Sequence, residues 1–154
     1  MAICVRSHVF DSMGRPVAIE DFDGEFSRDA YIHGLVELEV DGVKLLDRDM
    51  TDTIDALWSF FVAALEDLER NDEALLSYPE RPYTVRIRSM SGGRILIRVG
   101  GVDVPRSAVV ARAEFLSELR RGAIEFFRGV LRTSPKEEWS YRRDLTRAVQ
   151  LAAC

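Results

Sequence analysis

Histidine and cysteine, the side chains that most often carry nucleophilic, acid–base or metal chemistry, are scarce in this sequence. His8 and His33 each fall in or beside an expected strand, and the two cysteines are Cys4 and Cys154. Their positions show no metal-ligand spacing, and no Ser or Cys nucleophile motif such as GxSxG accompanies either histidine. The glycine pairs at 92–93 and 100–101 lie between expected strands. Neither has the strand-to-helix setting of GxxxxGKS/T or GxGxxG, so both read as turns and not as phosphate cradles. Catalysis through His8 or His33 therefore has no supporting motif, both cysteines read as free thiols, and no cofactor is expected.

Carboxylates are the abundant functional groups. Asp21, Asp23, Glu25 and Asp29 fall in one stretch, EDFDGEFSRD, and Asp47, Asp49 and Asp52 in a second. An EF-hand loop needs oxygen donors at positions one, three and five, glycine at six and glutamate at twelve. Placing Gly24 at the sixth position puts Ile19 first and Ala30 last, and neither carries a carboxylate. The second cluster lacks the central glycine. Both therefore read as solvated acidic loops, with no metal expected. As a surface, these seven residues suit a cationic protein, which such a field steers and accelerates toward contact.

Arginines form the opposite candidate. Period-two alternation sets Arg86, Arg88, Arg94 and Arg98 outward on a hairpin whose Val85, Ile87, Ile95, Ile97 and Val99 point inward. Such a ribbon can follow nucleic-acid phosphates, although it lacks the aromatics on which single-strand binders stack bases. Glu37 and Glu39 on an earlier strand offer the competing role of cross-strand partners, and that pairing is favoured.

These groups need a scaffold. Ile3–Phe10 and Pro16–Glu20 read as a hairpin, as do Tyr31–Val40 and Val43–Leu46 around Asp41-Gly42. Ile54, Leu57, Trp58, Phe61, Leu65 and Leu68 recur at helical spacing, with Thr51 and Asp52 as candidate caps and Asn71-Asp72 at the end. A polar connection is expected up to Pro82, then the arginine hairpin and an extended stretch from Val102 to Val110 interrupted by Pro105. Phe115 to Leu131 forms a second helical stripe ending near Thr133. Ser134-Pro135-Lys136-Glu137 reads as a capping box for a short third helix through Trp139, Leu145 and Val149.

The whole chain has 154 residues, 47% hydrophobic and 31% charged, with 10 Gly and 5 Pro. That composition excludes a disordered or collagen-like protein and suits one domain over residues 1–154. No apolar run is long enough to span a membrane, and the first residues lack a basic segment followed by an apolar stretch. A cytoplasmic protein is expected. Residues 1–80 hold 6 Lys and Arg against 19 Asp and Glu, while residues 81–154 hold 15 against 7. Net charges of −13 and +8 mark either a charged partner or two halves that neutralise each other.

The expected fold class is α+β, a largely antiparallel sheet packed against two long helices plus a short C-terminal helix. Strands before a Leu-Trp-Ser-Phe-Phe helix, and three more before a Phe-Leu…Phe-Phe helix, resemble the immunity proteins of bacterial polymorphic toxin systems over residues 31–132. The resemblance implies a non-enzymatic domain that binds and blocks a cognate toxin, often a basic nuclease. It implies no particular site residues, and the basic second half departs from a purely acidic interface. The expected partner is a protein. Nucleic acid ranks behind it, a structural or oligomerisation role stands as a further alternative, and the Trp139 helix leaves a homodimer open.

Overall fold

A computed structural model describes residues 2–26, 31–133 and 138–151. Strands β1 (Ile3–Phe10) and β2 (Pro16–Ala18) form the first hairpin, closed by a turn in which the Gly14 N–H donates to the Asp11 carbonyl. A 3-10 turn over Ile19–Asp21 follows. β3 (His33–Val40) and β4 (Val43–Leu46) form the second hairpin. Its Asp41-Gly42 corner has φ of 49° and 83°, and positive φ at both residues is what a type I′ turn requires. β1 also pairs with β3, and β5 (Asp52–Thr53) pairs with the start of β3.

A second sheet holds β6 (Glu73–Ser77), β7 (Thr84–Met90), β8 (Arg94–Gly100) and β9 (Arg106–Ala111) in that order, and every pairing in both sheets is antiparallel. The helices are α1 (Ile54–Arg70), α2 (Arg112–Thr133) and α3 (Glu138–Gln150). This is the expected α+β class with two long helices and a short C-terminal one, built on two sheets instead of one.

Both long helices bridge the sheets. α1 packs on β3 and β6, α2 on β1 and β9, and α3 lies against α2 and α1. The core between them is aromatic: Trp58, Phe61, Phe115, Phe126 and Phe127 are fully buried, each worth roughly 1.5–3 kcal/mol of transfer free energy. Trp58 meets Phe126 at a ring separation of 6.5 Å, and its indole N–H donates to the buried Ser7 hydroxyl at 2.8 Å. That bond satisfies the one polar atom the ring brings into the core.

Four expectations need correction. The connection after α1 contains β6, whose Ala74 and Leu76 turn into the core. α1 is not capped by Thr51 or Asp52: its N-cap is Thr53 without a side-chain bond, and the Ile54 N–H donates to the Ile32 carbonyl. β9 begins only at Arg106, so Val102 and Val104 precede the strand. Glu37 and Glu39 do not face the arginines, because β3 lies in the other sheet. Glu37 instead pairs with Arg48 at 3.0 Å, and Glu39 stands opposite Lys44 and Cys4. The capping box at 134–137 and Cys154 lie outside the described residues.

Candidate functional site

The first acidic stretch is shaped by alternation. Phe22 and Phe26 turn toward the core and stack at a centroid distance of 4.7 Å, while Asp23 and Glu25 between them are exposed. Gly24 lets the loop close over the ring, since a Cβ there would lie 2.8 Å from Phe22. The aromatic pair thus pins the loop and holds its carboxylates in water. Asp21, at the end of the 3-10 turn, is exposed as well, whereas Asp29 lies outside the described residues.

This loop forms one wall of an open groove of about 500 Å³. Phe10, Asp11 and Val17 from the first hairpin and Tyr31, Ile32 and His33 from the approach to β3 complete it. Tyr31 is 72% exposed, a large aromatic left beside a negative rim. Asp11 accepts backbone N–H groups of Arg15 and Met13, and the Arg15 bond foremost holds its carboxyl below the usual range. Asp23 and Glu25 of this groove are among the carboxylates the sequence singles out and His33 is weighed there only for catalysis, whereas Phe10, Asp11 and Tyr31 are missed. The aromatic signal was present as Phe-x-x-x-Phe around the carboxylates.

The second acidic stretch is divided. Asp47 pairs with Arg106 at 2.8 Å, which also reaches the carbonyls of Lys44 and Leu45 and so ties β9 to the end of β4. Asp49 is exposed and, with Lys44, Tyr83, Asp103 and Val104, borders a second groove of about 570 Å³. Asp52 is only 4% exposed. Its carboxylate accepts the N–H of Thr53, Glu80 and Arg81, which fastens β5 to the loop before β7. The seven expected carboxylates therefore do not make one surface. Asp21, Asp23 and Glu25 remain together, Asp47 and Asp52 hold structure, and Asp49 belongs elsewhere.

Arg86, Arg88, Arg94 and Arg98 all lie exposed on the outer face of the second sheet, with Val85, Ile87, Ile95, Ile97 and Val99 buried beneath, as the alternation implies. Arg86 meets Glu73 at 3.3 Å. Among the described residues, no group of three or more His, Cys, Asp or Glu is placed to hold a metal ion. His8 is buried in β1 with its Nδ1 3.5 Å from Glu37, a contact that makes no hydrogen bond. Burial outweighs the carboxylate and lowers its pKa, so the His8 imidazole is neutral at neutral pH.

The fold and groove together define an α+β protein of two antiparallel sheets on two long helices, with an aromatic and acidic recess at the first hairpin. No protein-family model, curated protein or solved structure matches the chain. No helix among the described residues is long and apolar enough to cross a membrane.

Proposed function

We propose that the chain is a stoichiometric protein-binding domain, not a catalyst, that neutralises a cationic toxin by occlusion, as immunity proteins do. The groove of Phe10, Phe22–Phe26 and Tyr31–His33 is its contact surface. One observation carries the reading: exposed Asp23 and Glu25 are held outward by a stacked phenylalanine pair beside an exposed Tyr31. Interfaces concentrate their energy in aromatic anchors ringed by polar groups, and negative charge around such an anchor steers a basic partner onto it. In this mechanism Asp21, Asp23 and Glu25 pair with cationic groups near the partner's active site, and Tyr31 supplies apolar contact.

The test is capture from lysate of the native host, nuclease-treated and untreated, with the parent chain and with D21K/D23K/E25K. The expected result is one protein retained near one-to-one by the parent and lost from the triple variant. Its association rate should fall with salt for the parent and much less for the variant. Equal retention by both proteins would remove the groove from the function. Loss of the captured material on nuclease treatment would replace the protein partner with nucleic acid.

A further inference from the structure

The outer face of the second sheet is a separate surface of opposite sign. Register places Arg86 directly opposite Arg98, Arg88 opposite Leu96, and Leu96 opposite Val109, with Met90 opposite Arg94. Like charges directly across a ladder destabilise it, and Arg86 and Arg98 are such a pair. Among the described residues, Glu73 is the one carboxylate in ion-pair reach of the four, and it meets Arg86. Arg94 and Arg98 have no such partner there, and Arg88 stands opposite Glu73 in register without an ion pair to it. Apolar side chains are left in water between them: Leu75 is 53% exposed, Met90 39% and Val109 36%.

We infer that this face docks an acidic, apolar-interspersed segment of a partner protein, lying extended along β8. The spacing specifies the segment. Arg94, Leu96 and Arg98 alternate on one side of β8, about 6.8 Å apart at the rise of an extended chain. An extended peptide has the same repeat, so a Glu-x-Leu-x-Glu pattern sets carboxylate on Arg94, leucine on Leu96 and carboxylate on Arg98. Arg88 and Arg86 flank from β7, and Val109 and Met90 widen the apolar floor. Bidentate carboxylate–guanidinium pairing adds geometric specificity to this match.

Other occupants fit less well. A second copy applied face to face would set arginines against arginines. Nucleic acid would satisfy the charges and leave Leu75, Leu96, Met90 and Val109 unmatched, with no aromatic for a base to stack on. The surface lies on the other sheet from the groove of the first hairpin and shares no residue with it.

The test uses the full chain and a labelled synthetic peptide of repeated Glu-Ser-Leu-Ser units. Its controls are the same peptide with leucine replaced by serine and single-stranded oligothymidine. The parent should bind the Glu/Leu peptide about tenfold tighter than the Glu/Ser peptide, with affinity falling as salt rises. R86Q/R88Q/R94Q/R98Q should lose that binding while its far-UV spectrum holds and its melting temperature does not fall, since all four side chains are exposed and the Arg86–Arg98 repulsion is relieved. Leu96→Ser should weaken the Glu/Leu peptide severalfold and leave oligothymidine unaffected. The proposal is overturned by equal binding of the two peptides, by tighter binding of oligothymidine, by unchanged binding in the arginine variant, or by self-association through this face in sedimentation.

Discussion

Asp52 and Asp49 show how one residue type takes two unrelated roles three positions apart. Asp52 is buried, and three backbone N–H groups converge on its carboxylate, so removing it orphans donors that water cannot reach freely. Asp49 is exposed. Asp52→Ala should therefore lower the stability of the fold by about 3 kcal/mol in urea denaturation, and Asp49→Ala by no more than about 0.5 kcal/mol. Equal effects would mean that the carboxylate does not hold the loop before β7. The sequence could not separate them, because burial of a carboxylate depends on which distant N–H groups arrive. Here those belong to Glu80 and Arg81, 28 and 29 residues away. The carboxylates at 23 and 25 were legible for the converse reason: their orientation follows from alternation with Phe22 and Phe26, a local property.

At the scale of elements, periodicity reported what local packing controls. The α1 and α2 stripes, the Asp41-Gly42 corner and the two faces of β7 and β8 all appear where the apolar spacing puts them. β6 did not, since Glu-Ala-Leu-Leu-Ser offers two buried side chains and no β-branched residue. The division into two sheets was equally hidden, because strand partners are chosen by tertiary contacts. α3 gives the prediction that belongs here. It docks on α1 through the Tyr141 hydroxyl, which donates to Asp55 at 3.0 Å, and through Arg147, which pairs with Glu66. Burial raises the Asp55 pKa, opposed first by the Tyr141 bond. With a raised native pKa, the folded state binds more protons than the unfolded state above the ordinary carboxylate value, so the contribution of Asp55 to stability falls as pH rises through that window. Tyr141→Phe removes the bond that favours the charged form and raises that pKa further. The variant should lose about 1 kcal/mol at neutral pH, and the loss should shrink as pH drops below the carboxylate range. A loss independent of pH would show that Tyr141 does not support the charge on Asp55.

At the scale of the molecule, the two halves of opposite charge are partly interleaved: Asp47 meets Arg106, Glu66 meets Arg147 and Glu73 meets Arg86. Beyond these pairs, the acidic loop after the first hairpin and Arg88, Arg94 and Arg98 on the second sheet stay exposed, one sign at each. The two long helices, packed on both sheets, deny either sheet a core of its own. Val5, Val9 and Leu38 from the first sheet, Ile87, Ile97 and Val110 from the second, and Trp58 and Phe126 between them belong to one buried cluster. A chain built this way should unfold in one step, because opening either sheet exposes the helix faces that hold the other. Trp58 is buried and Trp139 is 71% exposed, so Trp139→Phe leaves a single tryptophan reporting on the shared core. In that variant the urea transition followed by fluorescence should coincide with the one followed by far-UV circular dichroism. Gly122→Ala supplies the perturbation: its Cβ would come within 2.9 Å of the Trp58 ring and 3.0 Å of Val5. Overpacking of this kind costs about 1–3 kcal/mol and should move both midpoints to lower urea by the same amount. If fluorescence moved and part of the dichroism did not, the second sheet would be folding on its own, and the chain would be two units rather than one.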